Sequence, residues 1–382
     1  MRQIFILGLV SFFVDISSEM VYPIIPIFLT TIIGANPAVL GLIEGMAEST
    51  ASLLKVFSGY ISDRIKKRKV LALFGYGFSW PGKLFFVFAN SWQHVFAGRF
   101  IDRIGKGIRT APRDALIADY SDREKRGLAY GIHRAMDTLG ALTGVGVVTF
   151  IITKIVNRHY DAIFYRNIFL ISMIPAAIGW LLLFAIKDRP ATISKDQKFN
   201  ISFKNIPKGL KMFLIFTFIF ALGNSSNQFL LLKIQKETGS LVIVMLAYLF
   251  FNFVYAVMSI PCGKISDIVG QKVILIGGYF VYGIVYWLFA LKEGTQFYIF
   301  CLGLYGFYMA LTEGVEKSLV SQLAPDNIRA SMLGLHSTLA GIGLLPASII
   351  AGLLWQVFGP SVAFGLGGTL GIIAAAGLLF IL

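Results

Sequence analysis

Arg99, Asp102, Arg103, Lys106, Arg109 and Arg113 recur at three- and four-residue steps along 94–117, an apolar stretch long enough to cross a membrane as a helix. An ionised side chain at the centre of a bilayer costs from about 3 to over 10 kcal/mol, so such residues face a bundle interior or a water-filled cavity. One face of this helix must therefore be paired or wet. Asp15 and Glu19, four apart on the first apolar segment, share a face, as do Glu44 and Glu48 on the second. At a rise of about 1.5 Å per residue, Asp15, Glu19, Glu48 and Arg103 reach similar depths near mid-membrane. Two chemistries follow. A guanidinium is a planar fork suited to carboxylate or phosphate, which makes Arg103 and Lys106, with Arg99, candidate contacts for an anionic solute. A carboxylate held between desolvation and a neighbouring Arg changes protonation when a ligand arrives or leaves, which makes Asp15, Glu19 and Glu48 candidate proton carriers.

Each assignment has a structural competitor. Asp15 and Glu19 form fixed salt bridges to Arg99 or Arg103 in that alternative, and Glu44 and Glu48 serve only helix packing. Arg109 and Arg113 lie nearer the inner end of the fourth helix and read as gate residues. Arg134 and Asp137, three apart on the fifth segment, neutralise each other or Asp114. Across the first-half spans Asp15, Glu19, Glu44, Glu48, Asp102, Asp114 and Asp137 oppose Lys55, Lys83, Arg99, Arg103, Lys106, Arg109, Arg113 and Arg134. That balance is nearly even, so the basic stripe leans toward an anion without proving one.

In the second half the polar run Asn224-Ser225-Ser226-Asn227-Gln228 interrupts an apolar helix. It either unwinds and hydrogen-bonds a solute, through Asn224, Asn227 and Gln228, or ties neighbouring helices together. Glu313, Glu316 and Lys317 mark the tenth helix as a further candidate lining. His133 and His336 occupy matching positions, which favours packing over proton relay. The four histidines and two cysteines are too few and too scattered for a metal cluster. A phosphate-cradling glycine loop and an arguable Ser-His-Asp set are both missing, so the reading is a non-enzyme with no metal and no cofactor.

These residues must be positioned by membrane helices. The chain of 382 residues is 56% hydrophobic with 34 Phe and a mean hydropathy of +0.74, far from an ordinary soluble domain. At about 20 apolar residues per span, helices fall near 4–30, 39–62, 70–89, 94–117, 128–153 and 167–186, then 212–233, 240–262, 273–291, 296–321, 331–355 and 361–382. The first segment carries Asp15 and Glu19 and is too long for a cleaved signal peptide. The net charge of +14 sits in short loops as a topology signal, not as a nucleic-acid surface. Basic clusters at 64–69, 123–126 and 187–211 place those loops and both termini in the cytoplasm, with Lys154, Arg158 and Arg166 as a mild exception on the other side. Trp92, Trp287 and Trp355 fall near expected outer helix ends, where an indole spans the headgroup boundary. Cys262 and Cys301, inside apolar segments, imply no disulfide framework.

The halves repeat. Arg126, Gly131, His133 and Gly140 recur 203 positions later as Arg329, Gly334, His336 and Gly343, and Gly59, Ser62 and Asp63 recur 204 later as Gly263, Ser266 and Asp267. Two such halves, with a solute site near mid-membrane, are a recurring transporter plan. The loop after the second helix, Gly59-Tyr60-Ile61-Ser62-Asp63-Arg64-Ile65-Lys66-Lys67-Arg68-Lys69, resembles the signature of the major facilitator superfamily. The run from Asp102 to Asp114, together with 15–19 and 312–317, resembles blocks of a prokaryotic group of permeases in that superfamily. The resemblance implies two bundles, with the first, fourth, seventh and tenth helices around a cavity and the third, sixth, ninth and twelfth outside. It also implies that Gly59, Asp63, Arg64 and Arg68 belong to a cytoplasmic gate, with Asp63 paired to Arg109 or Arg113 and Asp267 as its second-half counterpart. Ile268 stands where an Arg is expected, so gating need not be symmetric. Gly140 and Gly144 permit close helix approach, and the fifth helix lacks the Pro of the drug-antiporter signature.

The expectation is an all-α membrane protein of twelve helices in two pseudo-symmetric six-helix bundles, 1–186 and 212–382, joined by a cytoplasmic linker, 187–211. It is read as a monomeric secondary active transporter in the inner membrane of a prokaryote. Its partners are a small polar, anionic solute, protons and the lipid bilayer. The alternatives are an exporter of drugs or metabolites and, from another class, a membrane sensor or lipid-handling protein.

Overall fold

The computed structural model describes the backbone of residues 2–65, 67–121, 126–154, 160–187, 206–291, 294–325 and 329–381, and the side chains of all these except 63–65, 126–127, 329–331 and 381. Twelve helical spans occupy them. They are α1 Arg2–Ile32, α2 Pro37–Ile65, α3 Arg68–Val87, α4 Trp92–Tyr120, α5 Arg126–Lys154 and α6 Ala162–Ala185, then α7 Lys208–Thr238, α8 Leu241–Val269, α9 Gln271–Leu291, α10 Thr295–Leu323, α11 Arg329–Phe358 and α12 Pro360–Ile381. No strand occurs among the described residues. Ten of these spans are long and apolar enough to cross a membrane. The remaining two, α2 and α4, carry the charges.

Local chemistry sets the helix ends and breaks. Asn36 caps α2 by accepting from the Val39 N–H at 3.0 Å, with Pro37 at the first helical position. Asp161 caps α6 by accepting from the Phe164 N–H at 2.8 Å. Three spans are interrupted. The regular helix of α1 ends at Val21, just before Pro23, resumes over Ile25–Ile27 and finishes as a π-turn at Phe28–Ile32. There Thr30 and Thr31 donate to the carbonyls of Pro26 and Ile27 at 2.8 and 2.7 Å. A break at Phe78 splits α3, since Pro81 has no N–H for the Gly77 carbonyl. In α7 the helix stops at Gly223 and restarts at Gln228, so the polar run does unwind.

By contacts the chain forms two units, 1–35 with 46–193, and 36–45 with 194–382. Residues 188–205 of the expected linker lie outside the described residues. Neighbour relations match between units: α1 packs on α5 and α6 as α7 packs on α11 and α12, and α3 packs on α4 and α6 as α9 packs on α10 and α12. The sequence repeat is thus also a repeat of packing. In the first unit Ile4, Leu7, Val10 and Val14 of α1 meet Ala72 and Tyr76 of α3 and Leu116 and Ile117 of α4. A Cβ on Gly140 or Gly144 of α5 would strike the carbonyl oxygens of Phe12 and Ile16 of α1, as the spacing predicts. The second unit is built on aromatic rings, with Phe220 stacked on Tyr279 at 3.9 Å and Tyr282, Tyr286, Tyr305 and Tyr308 around them. Large apolar side chains such as Phe57, Phe74, Phe88, Phe150, Ile260 and Phe380 face outward. An apolar surface of that extent suits lipid. Trp355 departs from the interfacial expectation: it is 5% exposed and packs on Phe229 and Phe364.

Candidate functional site, a charged cavity in the first unit

Close backbone approach brings α3 onto α4. A Cβ on Gly98 would lie 2.7 Å from the Gly82 carbonyl oxygen, and one on Gly105 would lie 2.5 Å from that of Gly75. Only glycine permits this contact, and it turns Ser79, Lys83 and Phe86 toward the charged face of α4. The resulting cavity encloses about 510 Å³ of non-atom space, part of it continuous with solvent. Asp15, Ser18, Glu19 and Tyr22 line it from α1, Lys83 and Phe86 from α3, and Arg99, Asp102, Arg103, Lys106 and Arg109 from α4.

The charges are organised around one carboxylate from α2. Glu48 Oε1 lies 3.2 Å from Arg103 Nε and 3.6 Å from an Arg99 terminal nitrogen. Arg99 also sits over the Tyr22 ring at 5.3 Å. Asp102 accepts from the Ser79 hydroxyl at 3.2 Å, and that oxygen accepts from Arg109 at 3.0 Å. Arg109 stacks over Tyr76 at 4.7 Å. Lys83, only 2% exposed, and Asp102 are each other's strongest attracting charge. The side chains of Asp15 and Lys106, like that of Lys83, make no hydrogen bond or ion pair among the described residues, and both face the cavity.

The structure therefore gathers Asp15, Glu19, Arg99, Arg103 and Lys106 at one place, with Glu48 ion-paired to two of them. The alternative bridge from Asp15 to Arg99 or Arg103 is replaced by Glu48. Arg109, expected at the inner end as a gate residue, lies in the cavity wall and is 5% exposed. The third helix, expected outside, supplies Lys83 and Ser79. Sequence reasoning passed over Lys83 as a site residue, although a lone Lys in an apolar span was the available signal.

Other candidates fall elsewhere. Arg113 reaches Asp114 at 2.9 Å and donates to Ser11 Oγ at 3.4 Å. Ser11 also meets His133 Nε2 at 2.8 Å. Asp137 faces His133 at 3.6 Å, a partner that the expected pairing of Asp137 with Arg134 did not include. Arg68 forms an ion pair with Asp119 and donates to the Ala115 carbonyl at 3.2 Å, tying the start of α3 to the end of α4. Gly59 packs against Ala111. The side chains of Asp63 and Arg64 lie outside the described residues, and Asp267 is exposed on α8. In the second unit Asn227 accepts from Tyr305 at 2.7 Å. Gln228 is fully buried, and its N–H donates to Ser226 Oγ at 3.4 Å. Ser226 donates to the buried Glu44 at 3.4 Å, which gives that carboxylate a structural partner. Asn224 caps the first half of α7 and is half-buried. On α10, Glu313 accepts from Tyr255, Glu316 accepts from Tyr279 at 3.0 Å, and Lys317 is exposed. The second-half candidates thus form two groups, one at the break in α7 and one on α10.

Comparison with known proteins agrees with this architecture. The Major Facilitator Superfamily profile matches residues 7–211 and 212–382. An uncharacterised MFS-type transporter of Methanocaldococcus jannaschii is 38% identical over 386 residues, covering 100% of this chain and 95% of that protein. Among solved structures, a nucleoside transporter superposes with a TM-score of 0.82 at 14% identity, covering 99% of both chains. A D-xylose–proton symporter superposes with a TM-score of 0.79 at 15% identity, covering 99% of this chain and 97% of its own. Twelve helices in two repeated six-helix units, charged at the heart of the first, match a profile that spans both halves: the chain belongs to the Major Facilitator Superfamily and is a multi-pass membrane transporter.

Proposed function

We propose that this transporter is secondary active and moves a small polar, anionic organic solute by alternating access, coupled to protons. It works in the cytoplasmic membrane of a prokaryote with both termini inside. One observation carries the reading: Lys83, Arg99, Arg103, Lys106 and Arg109 outnumber Asp15, Glu19 and Asp102 around one cavity. Glu48 fixes the Arg99 and Arg103 forks without occupying all their donors, since an Arg offers five N–H groups. Lys106 stands unpaired beside them and completes an anion-binding face.

Coupling follows from the opposite wall. Asp15, without a hydrogen-bond or ion partner, can carry a proton when the anion is absent and release it as the local field changes. Neighbouring Glu19 belongs to the same charge group. Repeated halves that rock about such a site supply alternating access.

The test is ligand stabilisation of the purified full chain, read as thermal shift against carboxylate and phosphate metabolites, organic cations and neutral sugars. A binder present at 100 times its Kd stabilises by about 2.7 kcal/mol through mass action. Anions are expected to raise Tm, and Arg103→Ala to abolish that shift together with uptake or efflux in proteoliposomes. Stabilisation by cations alone, or full transport by Arg103→Ala, overturns the assignment.

A further inference from the structure

Two walls of the first-unit cavity carry opposite charge. Asp15, Ser18, Glu19 and Tyr22, three and four apart, present one face of α1 to it, and that face holds two carboxylates and no cation. The wall from α4 presents Arg99, Arg103, Lys106 and Arg109. Most of the positive groups are already engaged within the protein. Glu48 reaches Arg99 and Arg103 at 3.6 and 3.2 Å. Arg109 donates to Ser79 at 3.0 Å and stacks over Tyr76, and Lys83 has Asp102 as its strongest attracting charge. Asp15 and Lys106 remain. They are opposite in sign, each acts on the other through space, and they do not close into an ion pair.

We infer that the solute is a zwitterion, with an amine held at Asp15 and Glu19 and an anionic group held at Lys106 and Arg103. This names the substrate class of the anion-binding cavity proposed above and rests on that reading. Opposite charges kept apart by open space are completed by a molecule that carries both signs. Its ammonium donates to Asp15, and its carboxylate or phosphonate accepts from Lys106 and from the N–H groups of Arg103 that Glu48 leaves over. A bare anion meets Lys106 and Arg103 but brings a like charge before the carboxylates of α1. A bare amine meets Asp15 but faces the basic row of α4. Each is therefore disfavoured by repulsion as well as by a missing contact.

The positive group is a hydrogen-bond donor and not a quaternary ammonium. Quaternary ions are held by aromatic faces, and both rings that line this cavity among the described residues have partners. Arg99 lies over Tyr22 at 5.3 Å, and Phe86 packs against Phe169 at 5.5 Å. Ser18, on the same face of α1 as Asp15, offers a further acceptor to an N–H donor.

The test reads affinity from the thermal shift of the purified full-length protein with sets matched on one skeleton. These are γ-aminobutyrate with butyrate and butylamine, β-alanine with propionate and propylamine, and aminoethylphosphonate with ethylphosphonate and ethylamine. At least one amino compound is expected to bind about tenfold or more tighter than its matched anion, as follows when one contact of a charge pair is removed. Trimethylation of its nitrogen is expected to remove that advantage. D15N should shift the preference toward the anion, which then meets an amide in place of a like charge. Because the ratio of the two affinities is taken within each variant, a general loss of stability does not alter it, and the wild-type comparison decides alone if D15N fails to fold. Anions that bind as tightly as their amino counterparts, a ratio unchanged in D15N, or no stabilisation by any amino compound overturns the zwitterion. Anion binding that persists in those cases leaves the broader reading standing, whereas stabilisation by the amines alone overturns both.

Discussion

Lys83 and Asp102 show how single residues divide the work of the cavity. Both are buried, and each is the strongest attracting charge on the other. Asp102 keeps Arg103 at 4.0 Å and Ser79 at 3.2 Å when Lys83 is removed, whereas removing Asp102 leaves Lys83 among like charges; a buried charge left uncompensated typically costs about 3–5 kcal/mol, while replacing a buried pair by apolar groups is often close to neutral. Thermal denaturation in detergent is expected to show a large loss of Tm for D102N and recovery in K83M/D102N. A double variant no more stable than D102N assigns Lys83 a role outside this pair. Arg103 belongs to a different class of residue, because its fork is held by Glu48 at 3.2 Å and faces open space. Arg103→Lys should behave nearly as badly as Arg103→Ala in solute binding, since an ammonium cannot reproduce a planar two-point contact.

Among the elements, α1 and α5 depend on contact between backbones. Gly140 and Gly144 sit where any Cβ would strike carbonyl oxygens of Phe12 and Ile16, so G140V should force the helices apart and displace Asp15, which lies between those two carbonyls. The expected readout is a Tm several degrees lower together with loss of transport, against little change for Gly146→Ala, where a Cβ meets nothing within 4 Å. Equal effects at the two positions would remove the packing argument. Element α7 illustrates a different balance. Its polar run breaks the helix, and tertiary partners satisfy the freed groups: Tyr305 donates to Asn227, and Ser348 accepts from the Ser226 N–H. Irregular backbone at membrane depth requires such cover.

At the scale of the whole molecule, the repeat governs the architecture. Basic residues cluster at 64–69, 123–126 and 187–211, and from that distribution a reporter fused to either terminus is expected to be active only in the cytoplasm. Activity at opposite faces for the two ends would require an odd number of spans. Matching neighbour lists in the two units show that duplication preserved helix packing while side chains at corresponding positions diverged, as Arg113 and Glu316 do.

Sequence alone determined the membrane class, the twelve spans, the repeat and the charged stripe of α4, because apolar length and three- to four-residue spacing are local properties of a chain. It also marked the break in α7, since five consecutive polar residues cannot continue an apolar helix without partners. Tertiary structure decided which charges meet. Asp15, Glu48 and Arg103 share a depth that helix rise alone predicts, yet Glu48 binds the arginines and Asp15 stays open. Pairing depends on the rotation of each helix about its axis, and that rotation is set by contacts between distant glycines such as Gly82 with Gly98. That contact turned Lys83 inward from a helix expected outside, and separate packing in the second unit buried Trp355 among Phe229 and Phe364.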